Sequence, residues 1–291
     1  MIICVNDYRG DDTVINSRGD SLYNYRTHYF HRIQQDFNRW QQWGHEFWCY
    51  TQHPNSRDFQ QFDRVIPVER NPVAQAKNVI LDDLYSQGID WCGIWDNDST
   101  LYWDKHRSQE LPRQLERVCE LAQEQNIWSF VPFNPQQAPY QTPDVTQWTF
   151  KPTIQMKGSM TFLRVHEQRY NTEVTTMDDL VYAIDLTRQE RRCGMLEQAV
   201  LNELVNGKST IFTVNAYHEQ YKNPGPRANP KGLLKWDAQL SRNEQYIQAH
   251  KDIEQLYGTS WGDWQTKQRM LWRIPETFNE LFEVTNDKTM G

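Results

Sequence analysis

The sequence predicts an α/β domain on a mixed, mostly parallel sheet flanked by helices, followed by a helical C-terminal appendage. Three observations predict it. Over the first 135 residues, short apolar runs alternate with stretches of helical periodicity, the pattern of strands joined by helical crossovers. The apolar runs are strand-sized, far below the roughly 20 residues that span a bilayer. The composition, 38% hydrophobic and 13% aromatic with twelve Trp, supplies material for a large core.

Residues 1 to 6 (Met-Ile-Ile-Cys-Val-Asn) read as the first strand. Ser21 to Trp43 reads as a long helix, because Leu22, Tyr25, Tyr29, Ile33, Phe37 and Trp40 recur every three or four residues, and Gly44 stops it. Glu46 to Thr51 and Arg64 to Val68 are the second and third strands. Pro72 to Ser86 is a helix with Val73, Ala76, Ile80 and Leu84 on its apolar face and Pro72 in its first turn. Gly88 breaks the chain before the apolar run Ile89 to Trp95, which ends abruptly at Asp96. A helix over Gln109 to Gln125 and a strand over Ile127 to Phe133 complete the first half.

The proline-rich stretch up to Asp144 reads as an irregular excursion. Thr149 to Val165 is strand-rich, with Thr161 to Val165 an edge or mixed strand. Thr176 to Asp185 begins a helix, Met195 to Val205 continues helical structure, and Ser209 to Asn215 returns as a strand. Asn223 to Gly232 is rich in Pro and Gly and closes the principal domain, so the expected division is 1–232 and a Trp-rich helical appendage over 233–291.

Net charge and cysteine usage narrow the classes. A formal charge of −7 gives no general attraction to nucleic acid or anionic lipid. Between Lys231 and Arg273, seven basic residues face five acidic ones, a weak tilt towards an anionic partner. The five cysteines are dispersed and lack CxxC spacing, so they read as reduced core thiols. The N-terminus lacks the basic start and long apolar segment of a secretory signal, and a cytoplasmic location is the expectation.

The strongest local signal is Gly93-Ile94-Trp95-Asp96-Asn97-Asp98-Ser99, an apolar strand delivering two carboxylates at its C-terminal end. Ligands bind at that edge of open α/β sheets. A diphosphate needs charge neutralisation, which Mg²⁺ or Mn²⁺ supplies through a carboxylate. Asp-x-Asp is also a common turn after a strand. Its context is more specific: a helix carrying Ala76-Lys77-Asn78, then Gly88-Ile89-Asp90, then the strand and the acids.

In this order of elements the chain resembles the GT-A glycosyltransferases over roughly residues 1 to 232. The resemblance implies a GT-A type fold, a nucleoside diphosphate sugar as donor, and Mn²⁺ or Mg²⁺ held by Asp96, Asp98 and His218. Asp98 would hold the metal, and Asp96 would support ribose or metal. Asn6, Asp7 and Arg9, at the end of the first strand, would contact base or ribose, with Lys77 and Asn78 also assigned to donor binding. Lys222, Arg227 and Lys231 would meet the leaving diphosphate. Thr176-Met177-Asp178-Asp179 resembles the family's acidic pair at a helix N-terminus, with Asp179 the better placed base and Asp178 its companion. The same acids suit a helix cap with Thr176 at its head, and the two roles are compatible. The family's usual pair is Glu-Asp, so Asp-Asp is a departure.

The acceptor implied is a hydroxyl on a glycan, a small molecule or a modified DNA base, the last as in phage DNA-modifying enzymes. Two other classes compete: a nucleotidyltransferase, and a nucleic-acid-binding module using the Trp- and Arg/Lys-bearing tail. The chain has no GxGxxG, GxxxxGK[ST] or GxSxG motif, so Rossmann, P-loop and acyl-transfer readings lack support. His28 and His31 share a helix face without an obvious third ligand and are read as structural.

Overall fold

The computed structural model describes residues 1–6, 36–52, 54–55, 59–69, 73–96, 99–101, 103, 107–133, 147–153, 159–174, 178–205, 208–209, 249, 251–253 and 255–257. Among them the chain forms β1 (Ile2–Asn6), helix α1 (described over 36–41), β2 (Glu46–Thr51), β3 (Arg64–Pro67), α2 (Val73–Ser86), β4 (Trp91–Asp96) and β5 (Ser99–Leu101). A 3₁₀ turn (Ser108–Glu110) leads into α3 (Leu111–Glu124). Then come β6 (Ile127–Phe133), β7 (Phe150–Pro152), β8 (Met160–Arg164), α4 (Asp178–Arg188), β9 (Arg192–Val205) and β10 (Lys208–Ser209).

The fold class is the expected one: α/β, with a mixed, mostly parallel sheet flanked by helices. Its strands run in the order β10-β9-β6-β8-β4-β1-β2-β3. The neighbours β3, β2, β1 and β4 are parallel, as are β6 and β9, and β8 runs antiparallel between β4 and β6. β8 therefore occupies the interior of the sheet rather than an edge.

Two-residue alternation divides the core. Ile2, Cys4, Trp48, Tyr50, Cys92 and Ile94 face α2 and α4, while Ile3, Val5, Phe47, Cys49, Trp91 and Trp95 face α1 and α3. Both faces are covered, so these strands are apolar throughout. Gly44 and Gly88 adopt positive φ (80° and 71°) just past α1 and α2. The backbone N–H of Gly88 reaches Tyr85 O and that of Ile89 reaches Leu84 O, closing α2 by returning donors to its last carbonyls. All five cysteines are buried and free. No helix among the described residues is long and apolar enough to cross a membrane.

One expected element is overturned. Residues 195–205, read as helical, belong to strand β9, which pairs with β6, β7, β5 and β10. Met-Leu-Glu-Gln-Ala-Val-Leu has good helix propensity, but a gap in the sheet beside β6 outweighs tenths of a kcal/mol per residue. Of the expected strand Ser209 to Asn215, Ser209 lies in β10 and the remainder falls outside the described residues. Of the region 233–291, residues 249, 251–253 and 255–257 are helical. Ala249 and Ile253 enter the core cluster beside α4, and the Tyr257 hydroxyl donates to Asp185 at 2.7 Å.

Candidate active site

β1 and β4 end side by side, because their apolar runs stop at the same level: Asn6 pairs in register with Asp96. Asn6 is buried at 3% exposure and Asp96 is half-buried. The Asp96 backbone is held on both sides. Its N–H donates to Ser159 O at 2.9 Å, and the Ser99 hydroxyl lies 3.1 Å from its carbonyl and 2.5 Å from Ser159 O.

α2 and α4 each precede a strand of the parallel set, so their N-terminal turns stand at this same edge of the sheet. α2 contributes Lys77 and α4 contributes Asp178 and Asp179 from its first turn. The Lys77 ammonium is buried at 3% exposure and donates to Asp178 Oδ2 at 2.8 Å and Asp179 Oδ1 at 2.5 Å. It lies 4.8 Å from the centroid of the Tyr170 ring, which stacks on Tyr182 at 4.3 Å. Burial alone would lower the Lys77 pKa, but the adjacent Asp178 and Asp179 carboxylates outweigh it, helped by Tyr170 and Asp96, and hold the group well above the ordinary lysine range. Lys77 is therefore a permanent buried cation linking the two acidic groups.

Asn78 is engaged differently from its neighbour. Its amide N donates to Tyr170 O at 2.9 Å, and its amide O accepts from Tyr170 N at 2.7 Å. This paired clamp on a backbone commits Asn78 to fixing the segment before α4, and Lys77 to neutralising acids. Both were expected as donor contacts; the geometry gives each an internal partner.

Of the expected site residues, the structure thus gathers Asn6 with Asp96, and Lys77 with Asp178 and Asp179. Asp7, Arg9, Asp98, His218, Lys222, Arg227 and Lys231 lie outside the described residues. Tyr170, Ser99 and Ser159 were not anticipated. The Ser99 hydroxyl and the Ser159 carbonyl both meet the backbone of Asp96 rather than its carboxylate, a contact no residue pattern announces, and Tyr170 is brought in by a clamp spanning 92 positions.

Three carboxylates and one ammonium leave two negative charges at this edge. Hard oxygen donors of this kind suit Mg²⁺ or Mn²⁺. No group of three His, Cys, Asp or Glu side chains with metal-holding geometry occurs among the described residues.

No protein-family model matches the chain, and no curated protein matches it. Among solved structures, it is similar to A197 from STIV at 10% identity and a TM-score of 0.38, covering 81% of this chain and 94% of that one. It is similar to S. aureus TarS at 8% identity and a TM-score of 0.44, over 89% of this chain and 44% of TarS. It is also similar to an apo UDP-glucose pyrophosphorylase at 12% identity and a TM-score of 0.39, over 76% of this chain and 99% of the other.

Proposed function

We propose that the protein is a metal-dependent glycosyltransferase moving a sugar from a nucleoside diphosphate donor to an acceptor hydroxyl. The observation that supports this reading is the meeting, at one sheet edge, of Asn6 and Asp96 with the Lys77–Asp178–Asp179 set. In this reading Asn6 lies beside the nucleoside, with Asp7 and Arg9 following it. Asp96, with Asp98 and His218, would hold Mn²⁺ or Mg²⁺, which when bound supplies charge neutralisation for the diphosphate. Lys222, Arg227 and Lys231 are assigned to the departing diphosphate.

For a transfer that inverts the anomeric centre, Asp179 is assigned as the base. As the acceptor oxygen forms its bond to the anomeric carbon, its proton passes to the Asp179 carboxylate, and the bond from that carbon to the diphosphate oxygen breaks. In this reading Lys77 orients the Asp179 carboxylate through its ion pair, and Asp178 shares the same ammonium. The acceptor hydroxyl belongs to a glycan, a small molecule or a hydroxylated base in DNA.

The deciding experiment is a panel of nucleotide sugars tested for thermal stabilisation with and without Mn²⁺, on wild type and Asp96→Asn. A ligand at about 100 times its Kd stabilises the native state by about 2.7 kcal/mol. Wild type should be stabilised by one class of donor only when Mn²⁺ is present, and Asp96→Asn should lose that increment. Asp179→Asn should keep the stabilisation and lose turnover. An Asp96→Asn variant stabilised as strongly as wild type sinks the assignment, and release of pyrophosphate during turnover identifies a nucleotidyltransferase instead.

A further inference from the structure

Asp36 lies at the start of the described part of α1, and in the sequence it interrupts the apolar periodicity that includes Ile33 and Phe37. It is 6% exposed, and its carboxylate gathers three donors. Oδ2 accepts from the Thr100 hydroxyl; Oδ1 accepts from Trp103 Nε1 at 2.6 Å and from the Arg39 guanidinium at 3.3 Å. Thr100 and Trp103 both lie just beyond the Asp96-x-Asp98 segment. The rest of this helix face reinforces the contact: Arg39 lies 4.8 Å over the Trp103 ring, and Trp40 stands edge-on to Trp103 at 6.3 Å and to Trp95 at 5.5 Å. Residues 36, 39 and 40 fall on one face at helical spacing.

We propose that Asp36 is a positioning residue for the donor site, holding β5 so that β5 in turn fixes Asp96 at the sheet edge. This rests on the donor-site reading above. The chain of contacts is short. Asp36 binds Thr100, the neighbouring Ser99 hydroxyl reaches Asp96 O, and β5 is held along its length by β9 through the pairs Ser99↔Glu203, Thr100↔Asn202 and Leu101↔Leu201. An apolar residue at position 36 would pack α1 without the cost of a buried acid. Burial pushes the Asp36 carboxyl up to about 7, against the lowering effect of Trp103 and Arg39. What the acid adds over an apolar side chain is direction: three donors converge on two oxygens, and two of those donors belong to the segment that follows the acid pair. Groups that orient a metal ligand without touching the metal commonly change affinity by about 10-fold or more when removed.

The test uses the full chain with Mn²⁺ alone as probe, followed by the electron paramagnetic resonance signal of the free ion, in wild type, Asp36→Asn, Thr100→Val and the double variant. Thr100→Val removes the hydroxyl while keeping shape and strand preference. Each single variant should weaken Mn²⁺ binding by about 10-fold, and the double variant should be no weaker than either, because both break one path. Amide hydrogen exchange without metal gives a second readout: residues 99–101 should exchange faster in both variants, with β1 and β2 unchanged. Multiplicative losses in the double variant, or unaltered affinity and exchange in Asp36→Asn, overturn the proposal. Wild type that binds no Mn²⁺ while both variants still loosen β5 overturns the donor-site reading and leaves the Asp36 clamp in place.

Discussion

Lys77→Met is the sharpest perturbation available at the site, because it removes one charge and leaves two. The Lys77 side chain is 4% exposed and its partners Asp178 and Asp179 are 13% and 18% exposed, at 2.8 and 2.5 Å. Removing one member of a buried pair costs about 3–5 kcal/mol, chiefly from the charge left uncompensated. Here the acids keep some solvent contact and sit in the first turn of α4, where the helix dipole returns about 0.3–1 kcal/mol. Both facts place the cost at the lower end, about 3 kcal/mol. Methionine fills most of the volume of the lysine stem, so the loss is electrostatic rather than a cavity. Urea denaturation at neutral pH, followed by tryptophan fluorescence, measures it directly. The triple variant Lys77→Met, Asp178→Asn, Asp179→Asn carries no orphaned charge and should recover at least half of the loss. A single variant less than about 1 kcal/mol below wild type, the value of an exposed ion pair, or a triple variant no more stable than the single, refutes the reasoning.

Asn78→Ala removes both bonds to the Tyr170 backbone and should cost about 1–3 kcal/mol in urea denaturation, the range for buried groups left unpaired; an unchanged midpoint would show that the clamp contributes nothing. Asp36 and His166 should give opposite pH slopes. Burial raises Asp36 from 3.8 to about 7, so between those values the folded chain keeps a proton the unfolded chain has released, and stability falls as pH rises. Burial, with Arg191 beside it, lowers His166 from 6.5 to about 4, so its stabilisation is present above 6.5 and is lost as pH falls through about 4. Between about pH 4 and 6.5, relative to wild type, urea midpoints should rise more steeply with pH in Asp36→Asn and less steeply in His166→Gln. Identical slopes in all three proteins would contradict both assignments.

The sheet was legible wherever strands are buried on both faces, because such strands are written as continuous apolar runs. Glu46–Thr51 and Ile127–Phe133 emerge at the expected bounds, and β4 ends at Asp96 as its abrupt change of polarity indicates. β9 was not legible: local propensity favours a helix there, and only the tertiary pairing with β6 makes it a strand. The same division holds at the site. Asn6, Asp96, Asp178 and Asp179 are placed by the ends of elements, which polarity marks in the sequence. The ion pairs of Lys77 with Asp178 and Asp179 join positions 101 and 102 residues apart, and no local pattern encodes such a distance. Asp36 did leave a signal, an acid in an apolar helical stripe, whose meaning depends on the partner it meets.

The placement of Asn78 beside Lys77 separates what holds α4 from what charges it. A buried ionic set is weak as a stabiliser, since well-packed apolar residues of similar volume often do as well or better. The segment leading into α4 has other anchors: the neutral Asn78 clamp on Tyr170, the Tyr170–Tyr182 stack, and a first core cluster that includes Leu180, Val181 and Ile184. With these in place, the position of α4 does not require a charge at residue 77. What the ammonium alone provides is a fixed positive charge against two carboxylates at the C-terminal edge of the parallel strands, within electrostatic reach of Asp96. In the glycosyltransferase reading proposed above, that charge would hold the mutual repulsion of the two acids in check before donor and acceptor bind.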